Sequence, residues 1–124
     1  MSGPGTSLLQ EKIESLGKAN PEIKAIYVIS STGIPLALFS SHEIEEGEKT
    51  RLAATALAVG SLSQKTLATI GNDRCEFVAA KGEKANVAIA VGEKFNLMVL
   101  TQTTADSRAL AKDMVELLRK DGTL

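Results

Sequence analysis

The stretch from Glu48 to Ile70 constrains the fold more than any other part of the chain. It reads as one uninterrupted helix, led by Glu43, Glu45, Glu46 and Glu48 and closed by Gly71-Asn72. Carboxylates suit the positive end of a helix dipole, and Gly-Asn is a strong stop signal. Such a helix runs roughly 35 Å. Between Leu52 and Ile70 its only charged residue is Lys65. A helix with one face in water normally carries Lys and Glu on that face. This helix is therefore expected to be covered on more than one side.

On a helical wheel Leu52, Ala56, Val59, Leu67 and Ile70 form one face, which is expected to pack on a sheet. The adjoining face carries Ala53, Leu57, Gly60, Ser61, Gln64 and Ala68. Small, uncharged residues let a second helix approach closely. Gly60 in mid-helix costs about 1 kcal/mol against alanine, which points to a close contact. The first and last helices are needed elsewhere, so the expected cover is the same helix of a second copy, related by a two-fold axis.

The remaining elements supply the sheet. Thr6 or Ser7 is expected to cap a first helix, with Ser7 and Gln10 as a capping box, and Gly17-Lys18 and Pro21 end it. A hairpin follows, from Ile23 to Ser30 and Ile34 to Ser40, with Pro35 marking an edge or a strand start. After the long helix, Arg74 to Ala80, Ala85 to Val91 and Phe95 to Thr101 form a three-strand meander with short Gly-containing turns. Thr103 or Thr104 opens a last helix, with Leu110, Met114, Leu117 and Leu118 as its apolar stripe. The first and fifth strands are apolar on both faces, so they belong side by side in the middle. The expected fold is α+β: a five-stranded antiparallel sheet of order 2-1-5-4-3, with the long helix on one face and two helices on the other. Residues 1–6 read as a disordered leader, 7–121 as one domain and 122–124 as a short tail. The third strand, with Phe77 and Val78, is left as an unpaired edge and is a second candidate contact between copies.

Composition narrows the function. The net charge is -1, with 14 basic and 15 acidic residues, so nothing draws the chain to nucleic acid or an acidic membrane. Cys75 is the only cysteine, there is no signal peptide, and no apolar run approaches the roughly 20 residues needed to cross a bilayer. A cytoplasmic location and no membrane insertion are expected. Gly47-Glu48-Lys49-Thr50 resembles a phosphate loop only superficially, because Lys49 does not follow a glycine. Gly-Glu-Lys recurs at residues 47, 82 and 92, but in different contexts, as turn chemistry. His42 is the sole histidine and the only base that could serve a Cys75 nucleophile. Both read as structural or solvated residues. No metal site, cofactor or catalytic group is expected.

The order of these elements, and three segments in particular, resemble the roadblock (dynein light chain) family, within the profilin-like and longin-like folds. The segments are Ile26-Tyr27-Val28-Ile29-Ser30-Ser31-Thr32-Gly33-Ile34-Pro35-Leu36-Ala37, the alanine-rich Leu52-Ala53-Ala54-Thr55-Ala56-Leu57-Ala58, and Phe95-Asn96-Leu97-Met98-Val99-Leu100-Thr101 before the amphipathic last helix. The resemblance runs over residues 7 to 120. It implies a homodimer, or a dimer with a related chain, with a shared sheet and paired long helices. It implies no catalytic residues, and a role in scaffolding or regulating a small Ras-like GTPase or as an accessory subunit of a motor complex. Arg51 and Lys65 are then candidates for contact with an acidic partner. A small-molecule sensor domain uses the same plan and is the alternative.

Overall fold

A computed structural model describes residues 4–120, with side chains from Leu8 onward. The elements are α1 (Pro4–Ala19), β1 (Ile23–Ser30), β2 (Pro35–Ser40), α2 (Glu46–Gly71), β3 (Phe77–Lys81), β4 (Asn86–Val91), β5 (Phe95–Thr101) and α3 (Ser107–Lys120). They build one antiparallel five-stranded sheet of order β2-β1-β5-β4-β3, as expected.

The centre of the sheet follows from strand patterning. Along β1, Ile26 and Val28 face α1 and α3, while Tyr27 and Ile29 face α2. Along β5, Phe95, Leu97 and Val99 join the first cluster and Met98 the second. Alternating side chains that are apolar both ways need cover on both faces, which only a central position provides. Leu9 and Ile13 of α1, four apart, and Ala111, Met114, Val115 and Leu118 of α3 close the first cluster.

Several ends differ from expectation. Helix α1 begins at Pro4, before the cap expected at Thr6 or Ser7 and inside the stretch read as leader. Proline suits a first helical position because its missing N–H would have no partner there. Residues 1–3 and the tail at 122–124 lie outside the described residues. Helix α3 starts at Ser107, later than Thr103 or Thr104, because Asp106 is the better cap: its Oδ1 accepts the Ala109 N–H at 3.1 Å. The α3 stripe is rotated by one position, leaving Leu117 46% exposed while Ala111 and Val115 are buried. Pro35 both starts β2 and sits on an edge strand. At the end of α2 the left-handed residue is Asn72, at φ 48°.

Tyr27 joins β1 to the start of α2. Its ring is buried and its hydroxyl donates to the Lys49 carbonyl at 2.8 Å. Burial pushes its pKa up; Lys49 opposes the shift and Glu46 adds to it. A phenol whose folded pKa is raised contributes stability that is intact below its unfolded pKa and is lost as pH rises through the folded value. Tyr27→Phe removes the hydroxyl and is expected to cost about 1 kcal/mol, since Lys49 keeps its place in the helix. It is also expected to flatten the loss of stability above about pH 10, where tyrosine ordinarily ionises. Thermal melts of both proteins from pH 7 to 11 check this.

Candidate interaction surface on α2 and β3

Helix α2 settles on the sheet through its smallest residues. Ala53, Ala56 and Gly60 are buried, with Leu52 and Val59 half-buried beside them. From Gly60 a Cβ would point at Val91 and Asn96, 3.4 and 3.7 Å away. This corrects the assignment of faces. Ala53 and Gly60, expected to meet a partner helix, lie against the chain's own sheet. Leu67 and Ile70, expected to meet the sheet, are 38% and 83% exposed.

The reason is geometric. Small residues allow the helix axis closer to the sheet, so they occupy the line of contact. The helix also outruns what lies beneath it. Its 26 residues span about 39 Å, against about 26 Å for the 8 residues of β1, the longest strand. Every residue from Lys65 to Gly71 is exposed.

The outer side of α2 is the unusual surface. Ala54, Thr55, Ala58, Ser61, Leu62 and Ala68 are exposed there, and Leu62 shows 65% of its surface. Leu57 is half-buried and leans on the β1–β2 turn, its Cδ2 3.4 Å from the Cβ position of Gly33. Gln64 is engaged within the chain: its Oε1 accepts the Cys75 N–H at 2.7 Å. Arg51 and Lys65 are both exposed, but they stand 14 residues apart, about 21 Å along the axis. They do not form one basic cluster.

Beside the end of α2 runs β3. It pairs with β4 from Phe77↔Ala90 to Lys81↔Asn86, and among the described residues its other side pairs with no strand. Phe77 packs toward the α1/α3 cluster and Val78 toward the α2 cluster, both half-buried. The strand starts later than the expected Arg74, because the Gln64 side chain takes the Cys75 N–H and holds residues 74–76 as a loop. The Gln64–Cys75 bond thus ties the overhanging end of α2 to the entry of the open edge.

The chemistry elsewhere is sparse. Cys75 is buried; desolvation raises its thiol pKa and a backbone hydrogen bond with Phe77 partly lowers it, while Sγ also lies 3.6 Å from the Phe77 carbonyl oxygen. A raised thiol pKa means little thiolate and low nucleophilicity. His42 precedes α2 and Cys75 follows it, and the 26 residues of that helix hold its two ends about 39 Å apart, so the structure does not bring the two together. Among the described residues no group of three His, Cys, Asp or Glu could hold a metal ion, and no helix is long and apolar enough to cross a membrane. The exposed apolar end at Leu62, Leu67 and Ile70 escaped sequence reasoning. Leu62 alone gave a signal, as a leucine on the polar side of the wheel among Thr55, Thr66 and Thr69.

Comparison with known proteins agrees with this plan. MglB from Myxococcus xanthus superposes with a TM-score of 0.82 at 15% identity, over 100% of this chain and 96% of that one. A structure described as MglB with tetrameric arrangement gives 0.80 at 18% identity, over 100% and 96%. Profilin from Schizosaccharomyces pombe gives 0.61 at 12% identity, over 91% and 98%. At such identities the likeness is one of fold. No curated protein matches the sequence. The sequence profile of the Roadblock/LC7 domain, in contrast, matches residues 9–102, which span α1 from its first buried leucine through the end of β5. A match over most of the chain means that the chain belongs to the Roadblock/LC7 domain family.

Proposed function

We propose that the chain is a dimeric interaction module, joined to a second copy or to a related roadblock-type chain, that binds and regulates a small Ras-like GTPase. The observation that carries this reading is the end of α2 beyond the sheet, where Leu62 on the outer side and Leu67 and Ile70 on the sheet-facing side are all exposed, on a helix whose outer side is almost uncharged. Apolar residues grouped on one exposed helix end mark a contact surface. The open β3 edge lies beside it. A two-fold-related copy pairing along β3 would carry its own sheet beneath the overhang and bring the two α2 helices together.

The contact residues in this reading are Leu57, Ser61, Leu62, Ala68 and Ile70 on α2, with Phe77 and Val78 on β3. Arg51 and Lys65 remain outward and meet the acidic surface of the GTPase. The GTPase itself comes from the family resemblance, and a cytoplasmic location goes with it. The chain contributes no catalytic group. It acts by ordering the segments of the GTPase that respond to nucleotide.

Light scattering is expected to give the mass of two chains at micromolar concentration. Immobilised protein is expected to retain a small GTPase from the same source differently in its GDP and GTP states. A chain that stays monomeric overturns the dimer, and retention by neither nucleotide state overturns the GTPase.

A further inference from the structure

A five-stranded sheet has two edges. Here they are β2 and β3. The β2 strand, Pro35-Leu36-Ala37-Leu38-Phe39-Ser40, has no charged residue. An uncharged, apolar edge is a template for adding another strand. Proteins usually guard such an edge with charged residues, lysine above all, and β2 has none.

In this chain the guard comes from α1. The Gln10 carboxamide donates from Nε2 to the Leu38 carbonyl at 2.7 Å, and its Oε1 accepts the Leu38 N–H at 2.9 Å. A side-chain amide carries the same donor and acceptor as a peptide group. Gln10 therefore occupies both backbone groups of Leu38 as a neighbouring strand would. The second N–H of the amide goes to Glu14 Oε1 at 3.0 Å, one turn along α1. That bond fixes which way the amide points: reversed, it would set oxygen against oxygen at both the carbonyl and the carboxylate. A second contact holds α1 down, because the Phe39 ring lies directly against the backbone of Gly17.

We propose that Gln10 seals the β2 edge against strand addition, so that the sheet can grow only at β3. If copies pair at β3, as proposed above, the outer edges of the pair are both β2. With both sealed, assembly stops at two. With both open, pairs would add edge to edge without closing. The proposal rests on the dimer reading only for the number at which assembly stops; the seal itself belongs to the single chain.

The test compares the full chain with Gln10→Leu and Gln10→Glu. Leucine keeps the bulk and removes both hydrogen bonds. Glutamate keeps an acceptor for the Leu38 N–H and puts a charge on the edge. Exchange of the Leu38 amide with deuterium is expected to speed up about tenfold in Gln10→Leu, the effect of one ordinary hydrogen bond. Light scattering across a dilution series is expected to show Gln10→Leu growing beyond the wild-type mass, while Gln10→Glu stays at it. Unchanged Leu38 exchange overturns the proposal. So does faster exchange with no growth, or equal growth of both variants, which would mean that a loosened α1 and not an open edge is responsible. Should Gln10→Leu fail to fold, the wild-type protein decides alone: Leu38 must be among the protected amides, and exchange at the rate of an open edge strand overturns the seal. A wild-type monomer would sink the dimer and leave these comparisons intact.

Discussion

Ile70→Lys is expected to leave each chain folded and to weaken self-association by about a hundredfold to ten-thousandfold. Burying one isoleucine side chain is worth about 1.5–3 kcal/mol. A two-fold interface contains the residue twice. The loss is then about 3–6 kcal/mol, and each 1.4 kcal/mol is tenfold in the dissociation constant. In the isolated chain Ile70 is 83% exposed, so its replacement removes little packing. Lysine is preferable to glutamate because Ile70 lies in the last turn of α2, where a cation suits the helix dipole and a carboxylate opposes it. Sedimentation over a dilution series measures the association, and a thermal melt shows that the fold is kept. An unchanged dissociation constant would remove the overhang from the interface. Gly60→Glu is not an equivalent probe. Its carboxylate would be driven toward Val91 and Asn96, and α2 would lift from its own sheet.

That difference between Ile70 and Gly60 marks where the sequence is legible. Strand order was readable because β1 and β5 are apolar on both faces, a local property that dictates a central place. The position of α2 on one face and of α1 and α3 on the other follows from the same count of faces. The rotation of α2 was not readable. A wheel ranks residues by hydrophobicity and so selects Leu67 and Ile70 for the sheet. The sheet ends before the helix does, and length is a relation between two elements that no wheel contains. Ala53 and Gly60 contribute little to a hydrophobicity ranking, yet they lie where the helix comes closest. Gln10 shows the same limit. Its neighbours in sequence offered a capping box, whereas its partners are the backbone groups of Leu38, 28 residues away.

The same distinction gives opposite signs to one substitution at two helical glycines. Propensity favours alanine over glycine in a helix by about 1 kcal/mol. At Gly60 the added methyl would meet Val91 Cγ2 at 3.4 Å, an ordinary contact. Gly60→Ala is therefore expected to stabilise the chain by about 0.5–1 kcal/mol. At Gly17 the methyl would stand inside the Phe39 ring, too close to Cγ, Cδ2 and Cε2 for the ring to evade it by moving one tip. Either the ring or α1 must shift, and forced packing of this kind costs about 1–3 kcal/mol. Gly17→Ala is expected to lose about 1–2 kcal/mol net, a fall of several degrees in melting temperature. Because Gly17 and Gln10 hold the same helix to the same strand, Gly17→Ala should also speed deuterium exchange at Leu38, whereas Gly60→Ala should leave it alone. Melting both variants beside the wild type decides the matter. If Gly17→Ala raises the melting temperature as Gly60→Ala does, the α1–β2 contact is looser in solution than Phe39 against Gly17 implies, and Gln10 could not keep the β2 edge closed.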